Sequence, residues 1–423
     1  MKRNIFVILI AIVLLFGLAS CEITPTEPTD GYKVSFETNG GNYIKPLVVK
    51  ENEKIDLPTP KKQDFSFYGW YIDKDLTEMF EEDTIINEDI TLYARWVDGY
   101  IIKTFTDLDN IRNDLSAKYY LANDIDCMNA KFNTIGSLET PFTGSFDGQG
   151  YSLCNFNIQS SDTIAYLGLF GYNKGKITNL IIKDSIIVFE NNFTSELVYS
   201  SVLVGQNDGT ISNCEIVNVS LSNTKVGGKH YTKNGAVRQG LIAGANTGSI
   251  SNCSVIGDVT LVNRELASKN SYTKTYVRCG GVTGANLGLI ENCFANVNVS
   301  CTGYFADYIG QIYIDDGNVG EAGAIAAVNE ENAKIINCLV MGSVFANFHD
   351  GDVVNRNSGE IMNCHRSSLM EISELYRVHA LLAHEDVTSS IEFYQNVLVW
   401  DNTIWNYTDI DLSNGKYPYL VFN

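Results

Sequence analysis

LIAGANTGSISNC, residues 241–253, is the stretch that decides the fold, because near-copies of it recur along the chain. The copies read VLVGQNDGTISNC at 202–214 and GVTGANLGLIENC at 281–293, after an earlier GLFGYNKGKITN at 168–179. Two degraded copies follow, AIAAVNEENAKIINC at 324–338 and VVNRNSGEIMNC at 353–364. An internal repeat of this size is typical of a solenoid, in which each unit stacks on the next.

Each copy has the pattern of short strands and tight turns, with no helical period. Glycine and asparagine interrupt the apolar positions at fixed places in the copies. We expect glycine to supply a left-handed backbone at one corner, and asparagine to tolerate that conformation at another and to bond to the next copy. One unit cannot bury its apolar side alone, so the sequence predicts a parallel β-helix over residues 142–365.

The copies also resemble the GLUG motif of bacterial surface and secreted proteins, whose G-L-x-G core is matched by Gly168 to Gly171. This resemblance covers residues 165–365 and implies a right-handed β-solenoid. Ala327 and Asn355 stand where the motif has glycine, so irregular coils are expected there. Solenoids need end caps. We assign residues 99–141 to the first cap and 366–423, with a helix over Ile372–Asp386 and an aromatic ending, to the second.

The cysteines fit the core of such a solenoid. Nine follow Cys21, and five recur at one place in the repeat, at Cys214, Cys253, Cys293, Cys338 and Cys364. We expect these five to stack as small apolar core residues. Disulfides remain an alternative in an exported chain, with Cys279 and Cys301 as the best candidates for a pair. No tight C-x-x-C pair occurs, so a zinc site is not expected.

The first thirty residues predict export and a lipid anchor. A basic start precedes the apolar stretch Ile5 to Ala19, which is shorter than the roughly 20 residues that span a bilayer. These features are typical of a secretory signal over residues 1–21, and its ending LASC resembles the lipobox of bacterial lipoproteins. The resemblance implies a diacylglyceryl group on Cys21, a membrane as partner, and a place on the bacterial cell surface. An ordinary signal peptide is the alternative. Residues 22–30 read as a tether.

Residues 31–98 predict a small strand-rich module. The stretches VSFETNGG, FYGWY and ITLYARW alternate apolar and polar residues, as strands do. They resemble the Listeria–Bacteroides repeat, also called the internalin B-repeat. The resemblance implies a β-grasp-like spacer or interaction unit of bacterial surface proteins. Trp70 and Trp96 are expected in its core, since each lies in an alternating pattern; exposure toward a ligand is the alternative.

Charge and insertions indicate what kind of partner to expect. The chain has 50 Asp+Glu against 30 Lys+Arg, a net charge of −20, which argues against a nucleic-acid partner. The insertions between copies still contain two basic and aromatic stretches, 225–238 and 269–278, and insertions in corresponding places project from one face of a solenoid. If the two stretches are adjacent, they suit an anionic glycan or an acidic peptide. A third insertion, 301–321, adds aromatic residues and carboxylates.

The candidate site residues all lie in these insertions. For ligand binding they are Lys229, His230, Tyr231, Lys233, Lys269, Tyr272, Lys274, Tyr276, Tyr304, Tyr308 and Tyr313. Asp315 and Asp316 are candidates for Ca²⁺, the one metal for which the sequence offers ligands, and no other cofactor is expected. Long solvated loops that bind nothing are the alternative.

Catalytic motifs are not found in the sequence. It has no HExxH, no Gly-x-Ser-x-Gly elbow and no phosphate loop, and its acidic pairs match no lyase signature. We therefore expect the chain not to be an enzyme. The sequence favours a cell-surface adhesion or recognition protein, which binds a glycan or a host or extracellular-matrix ligand through loops of a β-helix. A polysaccharide lyase or hydrolase and a purely structural spacer are the alternatives.

Overall fold

The computed structural model describes residues 31–422, except 52, 82, 159–164, 190–196, 227–235, 267–275, 307–311, 314–319, 348, 372–375 and 378. The chain divides into two compact units, Met1–Trp96 and Val97–Asn423. Among the described residues, none forms a helix long and apolar enough to cross a membrane.

The first unit contains a small mixed sheet. Its strands are β1 (Tyr32–Glu37), β2 (Leu47–Val49), β3 (Ser66–Tyr71) and β4 (Ile90–Val97), in the order β2-β1-β4-β3. The central strands β1 and β4 run parallel. Trp70 is buried in the core, where its Nε1 donates a hydrogen bond of 2.9 Å to the carbonyl oxygen of Pro58. Trp96 is half-buried and packs against the same core, so the core prediction is confirmed for Trp70 and holds in part for Trp96.

The second unit is a parallel β-helix. Within the described residues, six successive coils pass in turn through four parallel sheets, which we call sheets I to IV. In the third coil these are Ala236–Gly240, Ala243–Asn246, Ser249–Ser251 and Ser254–Leu266. The parallel β-helix predicted from the repeats is confirmed.

The strands of each sheet follow one another in chain order. Sheet I contains Tyr166–Leu167, Leu197–Ser201, Ala236–Gly240, Tyr276–Gly280, Gly320–Gly323, His349–Gly351 and Tyr376–Arg377. Sheet II contains Phe170–Asn173, Val204–Asn207, Ala243–Asn246, Thr283–Asn286, Ala326–Asn329 and Val354–Asn357. Sheet III contains Tyr100–Ile102, Lys118–Leu121, Ser145–Asp147, Lys176–Thr178, Thr210–Ser212, Ser249–Ser251, Leu289–Glu291, Lys334–Ile336 and Glu360–Met362.

Sheet IV has the longest strands of the four sheets. It contains Ile125–Asp126, Ser152–Cys154, Ile181–Phe189, Glu215–Val226, Ser254–Leu266, Phe294–Ala306, Leu339–Ala346, His365–Ser367 and Leu381–Ala383. The short strand Ile312–Tyr313 pairs with the end of Phe294–Ala306. Two small two-stranded sheets are Lys131–Phe132 with Asn157–Ile158, and Trp405–Asn406 with Tyr419–Leu420. Helices are few among the described residues: α1 (Phe105–Asn110), α2 (Glu385–Thr388), 3-10 turns at Ile111–Asn113 and Leu412–Asn414, and a π-turn at Phe393–Val397.

Equivalent residues of successive coils pair in register, which builds one continuous core. In sheet III, Ile177, Ile211, Ile250, Ile290 and Ile335 pair one on the next, and all five are fully buried. Stacking thus buries the apolar side that no single unit could bury.

The five repeating cysteines form another buried column, as predicted. All nine cysteines of the described residues are free, so these residues contain no disulfide. Cys279 and Cys301, the candidates for a pair, are also free, and the Cys301 thiol donates to the carbonyl oxygen of Val277 at 3.2 Å. The prediction that the repeating cysteines pack in the core is therefore confirmed, and the alternative that the cysteines form disulfides is not.

In the repeated copies asparagine, and not the recurring glycine, has the left-handed backbone, while Gly136, Gly150 and Gly342 elsewhere in the second unit also have positive φ. Asn213, Asn252 and Asn292 have φ of 53°, 51° and 53°. Asn292 Nδ2 donates to Asn252 Oδ1 at 3.2 Å, so the predicted bond between successive copies is present. The prediction of left-handed glycine corners is wrong. Gly248 is required for a different reason, because a Cβ there would lie 2.0 Å from the carbonyl oxygen of Gly209 on the preceding coil.

A second asparagine ladder, not foreseen from the sequence, runs inside the turn between sheets II and III. Asn207 Nδ2 donates to Asn246 Oδ1 at 2.8 Å, and Asn246 Nδ2 donates to Asn286 Oδ1 at 2.9 Å. All three side chains are fully buried. Because each amide also bonds to backbone carbonyls, this ladder satisfies polar groups that the tight turn buries.

The last two coils are regular in sheet II, contrary to expectation. Ala326–Asn329 and Val354–Asn357 each pair in register with the preceding coil. The methyl group of Ala327 is fully buried and is accommodated without a shift in pairing. Loss of the motif glycine is therefore tolerated at this place.

Where it is described, the chain beyond the last coil differs from the predicted helix over Ile372–Asp386, of which 372–375 and 378 lie outside the described residues. Tyr376–Arg377 extends sheet I and Leu381–Ala383 extends sheet IV, and α2 begins only at Glu385. Pairing with the preceding coil has outweighed the local helical pattern. Residues 385–422 then return along the outer face of sheet IV, where their aromatic residues pack on Phe294, Leu339 and Met341.

Candidate functional site

Long connections, which we call the excursions, join a sheet IV strand to the next sheet I strand in four successive coils. In coils one to four the chain between sheet IV and the next sheet I strand runs through residues 190–196, 227–235, 267–275 and 307–319. In the third coil the other three connections between sheets are only two residues long. Because the coils stack in register, the four excursions begin and end at the same corner.

Most of the predicted site residues lie in these excursions, outside the described residues. These are Lys229, His230, Tyr231, Lys233, Lys269, Tyr272, Lys274, Tyr308, Asp315 and Asp316. For three others the backbone is described: Tyr276 begins a strand of sheet I, Tyr304 lies in a strand of sheet IV, and Tyr313 lies in the short strand paired with it. Cys21 also lies outside the described residues.

The outer face of sheet I carries a column of polar side chains next to this corner. Tyr166, Tyr199, Arg238, Arg278 and Glu321 pair in this order from coil to coil. Their neighbours in the strands, such as Val237 and Val277, point into the core. We call these five residues the sheet I column. Arg238 and Arg278 each stand three residues after the end of an excursion, so the column lies at the foot of the excursions.

The sheet I column is largely covered although it faces away from the core. Tyr199 belongs to a small buried cluster with Ala245, Ala285 and Val328, which lie on the outer face of sheet II, and this cluster is separate from the main core. Outward-facing side chains of two adjacent sheets can touch only where the sheets meet at a re-entrant angle. The column therefore lines a groove between sheets I and II.

Aromatic rings fill one end of the groove. The rings of Tyr166 and Tyr199 stack with centroids 5.0 Å apart and an interplanar angle of 5°. Tyr172 of sheet II meets Tyr166 edge-on at 5.5 Å, and its hydroxyl donates to Asp208 at 2.6 Å. Burial and this hydrogen bond raise the pKa of Tyr172 well above its ordinary value. The tyrosine therefore stays neutral at physiological pH.

Ion pairs fill the other end. Arg278 Nε lies 2.8 Å from Glu321 Oε2, and both side chains are nearly buried, with 10% and 5% of their surface exposed. Glu330 accepts from Arg356 at 3.1 Å and also lies 3.7 Å from Arg278. Such pairs in a partly dry groove fix side-chain geometry, since losing one member would leave a buried charge.

Arg238 joins the two ends. Its guanidinium lies 5.4 Å from the ring centroid of Tyr199, a cation–π contact. Burial lowers the pKa of the Arg238 guanidinium from its ordinary value, although an arginine keeps its charge at neutral pH. A sequence signal for this residue existed, because both basic insertions end in the same Val-Arg pair, at 237–238 and 277–278.

Two acidic residues of the last coil have a structural role. Asp352 is fully buried, and its carboxylate accepts from the backbone N–H of His379 at 2.7 Å and of Ala380 at 3.1 Å. It thus ties the closing segment to the end of the core. Asp350 is also fully buried. No group of three or more metal-ligating side chains is found in the part of the chain that the structure describes.

Residues 32–95 match the Listeria-Bacteroides repeat domain family, so this domain, predicted from the sequence, is confirmed. Two proteins of Evansella cellulosilytica are similar over short stretches. One, named "Putative Gly-rich membrane protein", is 40% identical over 92 residues, covering 21% of this chain and 10% of its own. The other, named "Putative membrane protein", is 42% identical over 67 residues, covering 15% and 10%. The chain thus spans about a tenth of the length of these relatives. It is a surface-type protein with a repeat domain.

Two solved structures are similar to the chain. A crystal structure from Bacteroides ovatus, named as a putative immunoglobulin A1 protease, has a TM-score of 0.47 at 19% identity and covers 77% of this chain and 93% of its own. A structure named "IgA1 Protease" has a TM-score of 0.40 at 14% identity and covers 71% and 23%. Because both are named as proteases, the prediction that this chain is not an enzyme is contradicted and is withdrawn. At these TM-scores neither structure assigns a catalytic residue to it.

Proposed function

We propose that this chain is a bacterial cell-surface recognition protein that binds a glycan or an extracellular-matrix ligand through its excursions. The observation that carries the proposal is the common corner from which the four excursions leave, while the other connections of the coil stay short. In solenoids, insertions at one place often form the binding face. Two of the excursions, 227–235 and 267–275, each carry two lysines and a tyrosine, in the sequence of a protein whose net charge is −20.

We propose further that lipid on Cys21 holds the chain at the outer face of the membrane, with residues 22–30 as a tether and the first unit as a spacer. The basic and apolar start of the sequence supports this, and so do the names of the similar membrane proteins.

Two tests follow, one of binding and one of anchoring. Metabolic labelling with a fatty-acid analogue should mark the wild-type protein and leave Cys21→Ala unmarked.

Binding is tested with residues 31–423 on an array of polysaccharides and extracellular-matrix proteins, with Ca²⁺ and with a chelator. We expect retention on one ligand class that weakens as salt is raised. Replacing Lys229, Lys233, Lys269 and Lys274 together by alanine should abolish it. The matched control replaces four exposed lysines elsewhere, Lys103, Lys131, Lys176 and Lys416, which removes the same charge.

The outcomes separate recognition from its alternatives. Equal loss of binding in both quadruple variants would mean that binding depends on net charge. The lysines of the excursions would then have no specific role in it. Fragments of an arrayed protein or glycan would show that the chain also cleaves what it meets, which the names of the similar structures make worth measuring. No retention on any spot would contradict the recognition function.

A further inference from the structure

An open cavity of about 320 Å³ lies on the outer face of sheet IV, across three neighbouring strands. We call it the notch, and its lining includes Asp184, Ile186, Asn218, Ser220, Gly257 and Asp258. On the strand that carries Asn218, Glu215 is buried under residues 385–422, whereas Asp184, Asn218 and Asp258 are exposed. The notch therefore lies on a part of sheet IV that the described C-terminal residues leave uncovered.

The notch forms where a β-bulge ends. In the first two of its strands Asp184 and Asn218 are extra residues, because the residues on either side of them pair with each other in register. Both have left-handed backbones, with φ of 49° and 55°. The third strand has no extra residue, and Gly257 pairs there with Val219. A bulge turns its side chains away from the regular sheet, and Gly257 has no side chain to fill the space left beside them.

Hydrogen-bond acceptors line the notch. Asp184 Oδ1 accepts from Asn218 Nδ2 at 2.7 Å. Asp258 Oδ1 accepts from Asn298 Nδ2 at 2.9 Å. Among the described residues, Oδ2 of each aspartate has no hydrogen-bond partner, and the hydroxyl of Ser220 can accept as well as donate. A ligand that fits the notch must therefore donate hydrogen bonds.

We infer that the notch binds an uncharged sugar unit of the glycan that this protein recognises. The inference rests on the recognition function proposed above and names a place and a ligand class for it. Asp184 and Asp258 stand two strands apart, about 10 Å between backbones, so their open oxygens are spread across the notch. A sugar ring carries hydroxyl donors around its edge and meets several such acceptors at once. A single ammonium group donates from one point only.

The rim and the charge of the notch favour the same ligand. The side chain of Ile186 is 70% exposed at the rim, where it offers an apolar surface to the C–H face of a sugar ring. Two carboxylates in the lining repel an acidic sugar. Asp184 stands five residues before the end of its strand at Phe189, about 17 Å, and the excursions leave beyond such strand ends. One extended glycan can therefore contact both the excursions and the notch.

The test measures binding by calorimetry, with the full chain in a detergent that has no sugar headgroup. The probes are neutral hexasaccharides of glucose, mannose, xylose and N-acetylglucosamine, together with galacturonate hexasaccharide and hexalysine. Ser220→Trp fills the notch, and Asp258→Ala removes one of its acceptors. Ser251→Trp, on the outer face of sheet III, and Glu331→Ala, at an exposed position, are the matched controls. Thermal unfolding of each variant checks that it is folded.

We expect at least one neutral hexasaccharide to bind, and galacturonate hexasaccharide to bind more weakly. Ser220→Trp should lower the affinity for the neutral sugar more than about tenfold, because the indole occupies its place. Asp258→Ala should lower it about tenfold, as for a lost hydrogen bond to a charged group. Each control variant should change it less than about threefold.

Three results would overturn the inference. Neutral-sugar binding that is unchanged in Ser220→Trp would place the glycan elsewhere on the molecule. Hexalysine binding that is tighter than that of any neutral sugar, and is lost in Asp258→Ala but kept in Glu331→Ala, would assign the notch to a cationic ligand. The third result is no binding of any neutral hexasaccharide. Retention of another ligand on the array would then leave the recognition function standing, whereas silence on the array would end both.

Discussion

The side chain of Glu215 accepts a hydrogen bond of 2.6 Å from the backbone N–H of Leu420, 205 positions further along the chain. Glu215 lies on the outer face of sheet IV in the second coil, and the C-terminal segment buries it there. The same segment bonds to the fifth coil, where Trp400 Nε1 donates to the carbonyl oxygen of Asn337 at 2.9 Å. The end of the chain therefore clamps coils together along their side.

The buried Glu215 predicts a pH-dependent change in stability. Burial raises the pKa of Glu215 above its ordinary value, despite the opposing hydrogen bond from Leu420. The folded state thus holds this proton more tightly than the unfolded state, and the stability it gives is present at low pH and lost as pH rises through the raised pKa. Glu215→Gln keeps the acceptor oxygen without the charge. We expect it to raise the thermal unfolding midpoint at pH 7 and to leave it unchanged near pH 4.

The control for this prediction is Glu331→Gln, at an exposed position. It removes one negative charge from the same acidic protein without changing a buried group. If Glu331→Gln stabilises the protein at pH 7 as much as Glu215→Gln does, the gain comes from net charge and the burial argument fails.

The left-handed corner at Asn252 predicts that replacement by glycine destabilises the protein less than replacement by alanine. Both Asn252→Gly and Asn252→Ala remove the oxygen that accepts from Asn292, so the two variants lose the same hydrogen bond. Only alanine must then hold a φ near 51°, which costs roughly 1–2 kcal/mol for a residue with a Cβ. We expect the alanine variant to unfold at lower guanidinium concentration than the glycine variant. Equal midpoints would show that the corner relaxes.

We expect alanine substitution to destabilise the protein much more in the middle of the inner asparagine ladder than at its end. Asn246→Ala removes the acceptor of Asn207 and the donor to Asn286 in a fully buried column. Leaving these groups unsatisfied should cost about 2–5 kcal/mol, measured as a shift in denaturant midpoint. Asn357→Ala, at the exposed end of the same ladder, is the matched control and should cost less than about 1 kcal/mol. Similar costs at both positions would mean that burial does not strengthen the ladder.

The repeats were enough to predict the β-helix, because the same residue types recur where the same local geometry recurs. Asn252 and Cys253 are read correctly for this reason, the first as a corner and the second as core. Gly248 was misread, because close approach of two coils and a left-handed φ both select glycine, and a sequence does not distinguish them. Asn246 recurs as regularly as Asn252, so recurrence alone does not show that its side chain is buried. Its burial depends on the direction in which the turn points the side chain.

The groove could not be predicted from the sequence, for a related reason. Arg278 and Glu321 are 43 positions apart, and only the length of one coil and its excursion brings them within 2.8 Å. Glu215 and Leu420 are further still, since the C-terminal segment folds back over five coils. The sequence predicted this segment as a cap at the end of the solenoid, and composition carries no information about the face of sheet IV that it covers.

The cysteine column predicts that the folded protein is almost inert toward thiol reagents. Burial raises the pKa of Cys253, Cys293 and Cys338 well above the ordinary value, and the thiolate is the reactive form. Of the nine cysteines in residues 31–423, Cys154 alone is not buried. Ellman's reagent at pH 8 should therefore label at most one thiol in the native protein and none in Cys154→Ser. In guanidinium chloride without reductant it should label all nine in the wild type, because each is free. A count of seven after unfolding, restored to nine by reductant, would mean that Cys279 and Cys301 are joined after all.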